Sequence, residues 1–84
     1  MKKNPEFKLI IDQDVNKEFY AETHSFNGRT IWKTSESYKT SNGLIKAINY
    51  LREPEQIIIE STHLTSKQKL NLITKIEQIW MESI

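Results

Sequence analysis

The chain has 84 residues, a formal net charge of +1 from 12 basic and 11 acidic side chains, and no cysteine. That length supports one domain with a small core, and the lack of cysteine excludes disulfides and thiolate metal sites. The near-zero balance is no electrostatic footprint of a dedicated nucleic-acid binder, and self-association is the remedy left for a marginal core.

The opening MKKNPEFKLIIDQD carries too few apolar residues for a secretory signal or a membrane span, so a cytoplasmic protein making no membrane contact is expected. Abundant isoleucine, lysine and asparagine suggest a bacterial source. In FKLIID, Phe7, Leu9 and Ile11 alternate with Lys8 and Asp12, the period of a half-buried strand. QDVNK reads as a polar turn. EFYAETHS is a second strand, with Phe19, Ala21 and Thr23 on one face and Tyr20, Glu22 and His24 on the other. Asn27-Gly28 predicts a type I′ hairpin into a third strand, RTIWKT, completing an antiparallel meander.

Thr40 or Ser41 supplies a hydroxyl N-cap, and Leu44, Ala47, Ile48 and Leu51 recur at helical spacing until Pro54 stops the helix. QIIIES is apolar on both faces and is expected inside a sheet, covered above and below. Thr65-x-x-Gln68 reads as a capping box opening a helix with Leu70, Leu72, Ile73, Ile76, Ile79, Trp80 and Ile84. This stripe is broad enough for two contact surfaces or a subunit interface. The fold class is therefore α+β, ordered β-β-β-α-β-α, with residues 1–84 as one domain and the last helix over 65–82.

Asn27-Gly28, Ile31, Thr34-Ser35-Glu36, Tyr38 and the helix spacing Leu44-x-x-Ala47-Ile48-x-x-Leu51 carry a resemblance. On them, residues 7–61 resemble the YegP-like family of small uncharacterised bacterial and archaeal proteins. The resemblance implies a β-β-β-α-β unit, used in tandem or as two chains, whose last strand is exchanged to complete one sheet. One extra residue between Ile31 and Ser35 suggests a β-bulge, and Leu44 stands where the family prefers a smaller residue. The helix from Thr65 lies outside the likeness, and the family brings no established biochemical role.

Candidate chemistry is sparse. Asp12, Asp14, Asn16 and Glu18 alternate as in a calcium loop, yet Lys17 and Thr23 stand where that loop needs glycine and a bidentate glutamate. Ser35, Glu36 and His24 supply residue types for a hydrolytic triad without a spacing that requires one. Residues 35–38 read instead as the joint between sheet and helix, where short hydroxyls bond local amides. Tyr20 and Trp32 are expected to share the face opposite Phe7 and Phe19, beside Arg29, Lys33 and Lys39. The leading expectation is a non-enzymatic homodimer, without metal or cofactor, that binds an unknown protein partner. Its dimer interface is expected at Ile57, Ile58, Ile59, Ile76 and Trp80. The alternative is a nucleic-acid-binding accessory protein using the hairpin at 27–33, with Arg29, Lys33 and Lys39 on phosphates.

Overall fold

A computed structural model describes residues 7–81. Ile84, at the end of the predicted apolar stripe, lies outside them. The elements are β1 (Lys8–Gln13), β2 (Phe19–His24), β3 (Thr30–Lys33), α1 (Ser41–Ile48), β4 (Gln56–Ile59) and α2 (Ser66–Met81). They form an α+β fold with one four-stranded mixed sheet ordered β3-β2-β1-β4. β1 pairs antiparallel with β2 and parallel with β4. Within the chain β4 is therefore an edge strand on its own β1, not an interior one.

Strand alternation decides where the core sits. Leu9 pairs with Thr23 and Ile57, and Ile11 with Ala21 and Ile59. These rows meet Leu44 and Ile48 of α1 and Leu72 and Ile76 of α2 in one buried cluster. Both helices consequently cover the same side of the sheet. The neighbouring rows, Ile10 with Glu22 and Ile58 and Asp12 with Tyr20, face away from them.

Both hairpins use one turn design. In the first, Lys17 N donates to Asp14 O at 2.8 Å and Asp14 N to Glu18 O at 3.0 Å. In the second, Gly28 N donates to Ser25 O at 2.9 Å and Ser25 N to Arg29 O at 2.9 Å. Lys17 has φ 64° and Gly28 φ 92°, and no other non-glycine among the described residues has a positive φ. Asn27 thus lacks the positive φ that a type I′ turn requires. The expected two-residue turn is instead a longer one whose fourth residue is left-handed. The first residue's side chain closes each turn: Asp14 Oδ1 accepts from Glu18 N, and Ser25 Oγ from Arg29 N. Ser25 Oγ also donates to Asn27 Oδ1.

A bulge is present, but it sits at Ile31 itself and not between Ile31 and Ser35. His24 pairs with Thr30 but Thr23 pairs with Trp32, so Ile31 is the extra residue. A one-residue slip reverses faces. Trp32 therefore lies on the helix side with Thr23, and Tyr20 on the other. The expected common face of Tyr20 and Trp32 does not form.

Thr40 caps α1, its Oγ1 accepting from Gly43 N at 3.1 Å. The helix closes at Ile48, with Asn49 as its C-cap, well before Pro54. Leu51 still packs on the core from the following turn, and its carbonyl accepts the Trp80 indole N–H at 2.6 Å. The capping box is formed as read: Thr65 N donates to Gln68 Oε1 at 2.9 Å, and Gln68 N to Thr65 Oγ1 at 3.1 Å.

Lys17 holds a backbone conformation that costs a side-chain-bearing residue roughly 1 kcal/mol or more. Lys17→Gly should therefore raise the unfolding free energy by about 0.5–1 kcal/mol in urea titration, whereas Gly28→Ala, which meets no neighbouring atom, should lower it comparably. Destabilisation by Lys17→Gly contradicts the turn assignment. On α2, Ile76 is fully buried and Leu70 is 64% exposed. Ile76→Ala should cost about 2–4 kcal/mol and Leu70→Ala less than about 0.5 kcal/mol. Equal effects would mean that α2 is seated on a different face.

Candidate functional site

The side of the sheet away from the helices carries the candidate site. Ile10 and Ile58 stand side by side, both half-buried, between Glu22 and the outer flank of β4. Neither belongs to the core cluster or to the residues packed against it. Toward the β1–β2 turn, a recess of about 300 Å³ opens, lined by Asp14, Tyr20, Glu22, Lys33 and residues 34–37.

The joint shapes that recess. Thr34 ends the β3 ladder, donating its N–H to Ala21 O at 2.9 Å and accepting from Ala21 N on Oγ1 at 3.3 Å. The chain then leaves the sheet for three residues and returns at Tyr38, which exchanges hydrogen bonds with Phe19 at 2.6 and 2.8 Å. Ser35, Glu36 and Ser37 are thereby held as a short arch beside Tyr20. The 35–38 string is a sheet-to-helix joint, and its arch also forms a wall of the recess.

Carboxylates dominate the electrostatics. Asp14 is held below the ordinary carboxylate range, chiefly by the Glu18 amide it accepts from; burial opposes this, and Ser37 and the Asn16 amide add to it. The Tyr20 phenol is pushed above its ordinary 10.0, first by burial, then by the charges of Asp12 and Glu22 and a hydrogen bond to Asp12. His24 Nε2 donates to Glu22 Oε1 at 2.7 Å and lies 3.4 Å from Thr30 Oγ1. His24 is therefore engaged with Glu22, and Ser35 and Glu36 line a recess that His24 does not. Asp14 Oδ1 is occupied by the amides of Asn16 and Glu18. Among the described residues, no three or more His, Asp or Glu side chains are grouped to hold a metal ion.

The expected phosphate contacts are exposed and spread out. Arg29 follows the hairpin tip, Lys33 ends β3, and Lys39 precedes α1. Lys33 pairs across the strand with Glu22 and shares its recess with Asp14 and Glu36. Of the expected interface residues, Ile59 and Ile76 are buried in this chain's core, and Ile57 and Trp80 pack against it. Ile58 alone of the five faces the open side. Ile10 and Tyr20, which complete that surface, were legible as strand residues but not as its centre.

Burial and nearby negative charge favour the neutral Tyr20 phenol, so its folded pKa is raised. The stability it contributes is fully present below the ordinary value and is lost as pH rises through the raised one. In an alkaline titration followed by tyrosinate absorbance, the difference between wild type and Tyr20→Phe should show a midpoint above 10.0. Asp12→Asn should lower that midpoint. A midpoint at or below the ordinary value would show that Tyr20 is solvated and the face wrongly described.

Among the described residues, no helix is long and apolar enough to cross a membrane. Comparisons with protein-family models, with curated proteins and with solved structures returned no match in any of the three.

Proposed function

We propose that the protein is a YegP-like, non-enzymatic interaction module of the bacterial cytoplasm, working as a homodimer. The observation that carries this reading is the sheet face opposite the helices, where Ile10 and Ile58 form an apolar row that neither helix reaches. A sheet with helices on one side leaves such a row for a partner, and an 84-residue chain gains most from covering it. Strand exchange, the arrangement the resemblance implies, would keep the β1–β4 register and take β1 from the partner, with segment 49–55 as the hinge.

The alternative of nucleic-acid binding through Arg29, Lys33 and Lys39 has less support. The three cations stand at separate points of the fold, and a formal net charge of +1 supplies little counterion release on a polyanion.

Sedimentation equilibrium at micromolar concentration tests the reading. The full chain should show twice the 9.9 kDa chain mass, and Ile58→Lys should show the single-chain mass with an unchanged circular-dichroism spectrum. Wild type at the single-chain mass refutes the dimer. In parallel, anisotropy of a labelled DNA duplex at low salt should stay flat. Binding whose salt slope falls by about two units in Arg29→Ala/Lys33→Ala would instead establish the nucleic-acid reading.

A further inference from the structure

The open edge of β3 carries a second surface. Among the described residues β3 has a strand neighbour on one side only. Thr34 is hydrogen-bonded to Ala21, so antiparallel alternation turns the N–H and C=O of the preceding Lys33 outward. Alongside this edge, on the helix side, runs a groove of about 260 Å³ between β3 and α1, with Trp32, Tyr38, Ala47 and Tyr50 in its walls. Trp32 and Tyr50 meet edge to face, with ring centroids 6.4 Å apart and planes at 84°. Tyr50 is nonetheless 70% exposed, and Ile31 on the edge itself is 59% exposed. The arrangement combines free main-chain groups with an adjacent side-chain groove, the two parts that strand addition uses.

The charge around the edge selects the occupant. Arg29 and Lys33 bracket β3, and Lys39 follows at the foot of α1, all exposed. No ion pair engages any of the three among the described residues. A second copy pairing antiparallel through the same edge would set these cations against their own counterparts, which destabilises cross-strand pairs. We propose that the β3 edge and the β3–α1 groove accept an extended segment of another protein that alternates apolar and acidic side chains. Its main chain adds a fifth strand at Lys33. Its apolar side chains enter the groove between Trp32, Ala47 and Tyr50, and its carboxylates face Lys33 and Arg29.

The inference rests on the reading of the chain as an interaction module, and its test is separate from the dimer test. The isotope-labelled full chain is titrated with a blocked decapeptide alternating valine and glutamate, and with its valine–lysine counterpart. Amide shifts should concentrate at Thr30–Lys33 and around Ala47 and Tyr50. The glutamate peptide should bind roughly tenfold tighter than the lysine peptide. Lys33→Glu should remove that preference, and Ala47→Phe, which fills the groove, should weaken both peptides. The inference is overturned by equal affinity for the two peptides, by shifts centred on Gln56–Ile59 or the Ile10–Ile58 row, or by no shift at about 1 mM peptide. Concentration-dependent shifts at β3 without peptide would also overturn it, since a second copy would then own the edge. If Ala47→Phe fails to fold, the Lys33→Glu comparison alone decides. A chain that sediments as a dimer yet ignores both peptides loses this inference and keeps the interaction reading.

Discussion

β1 is the strand on which the arrangement depends, because it joins the antiparallel β2 on one side to the parallel β4 on the other. Its Leu9 and Ile11 are fully buried, and through the ladder they align Thr23 and Ala21 of β2 with Ile57 and Ile59 of β4. That alignment makes one continuous apolar surface for two helices. The same pleat leaves Lys8, Ile10 and Asp12 on the reverse side with no helix above them. Two helices on one face and none on the other thus follow from a parity set in six residues. The Ile10–Ile58 row and the Tyr20 recess are consequences of that parity.

The second helix is fixed at both ends by polar contacts that periodicity does not encode. Near its start, buried Ser61 donates to Gln13 Oε1 at 2.6 Å, Gln13 Nε2 donates to Lys17 O at 2.7 Å, and His63 N donates to Ser61 Oγ at 3.0 Å. This chain ties the first hairpin turn to the approach to α2. Near its end, the Trp80 indole reaches the Leu51 carbonyl. Between these anchors, Leu72 and Ile76 enter the core. A helix held this way is a working part of the fold.

The elements were legible where local chemistry and period agreed. Thr65 with Gln68, Thr40 as N-cap, and the alternation of Leu9, Ile11, Ala21 and Thr23 all form as their spacing predicts. The misreadings share one cause, which is that pairing depends on residues far apart in sequence. Asn27-Gly28 suggested a tight turn, but the ladder closes at Ser25 and Arg29, and Asn27 keeps a negative φ. A usable signal was present: Asp14 and Ser25 are acceptor-bearing first residues of such turns, with Gly28 at the fourth position. The Ile31 bulge then shifted register by one and moved Trp32 to the helix side. Counting alternation forward from Arg29 without a bulge places Ile31 there instead. β4 read as interior because Ile57, Ile58 and Ile59 are apolar on both faces. In the single chain that property belongs to an edge strand with one side covered, and the excess apolarity appears as the Ile10–Ile58 row.

The two edges of the sheet differ in a way that bears on selectivity. β4 is flanked by Glu53, Glu55 and Glu60 and is preceded by buried Pro54, whose ring removes one donor from the approach to the edge. β3 is flanked by Arg29 and Lys33 and shortened by its bulge. Charge and irregularity of this kind discourage indiscriminate pairing of bare edges. They also leave β3 the more selective of the two, because a strand must bring carboxylates to approach it. Lys33 sits where that selection is made. It lines both the recess beside Tyr20 and the groove beneath Tyr50, so it borders the surfaces on both sides of the sheet. In the recess it stands near Glu22, Glu36 and Asp14, with no ion pair to any of them. Along the groove, the lining is aromatic and small, with no carboxylate to answer it. A fifth strand would lie in the plane of the sheet beyond β3, with the residue opposite Lys33 on the Glu22 face and its neighbours over the groove.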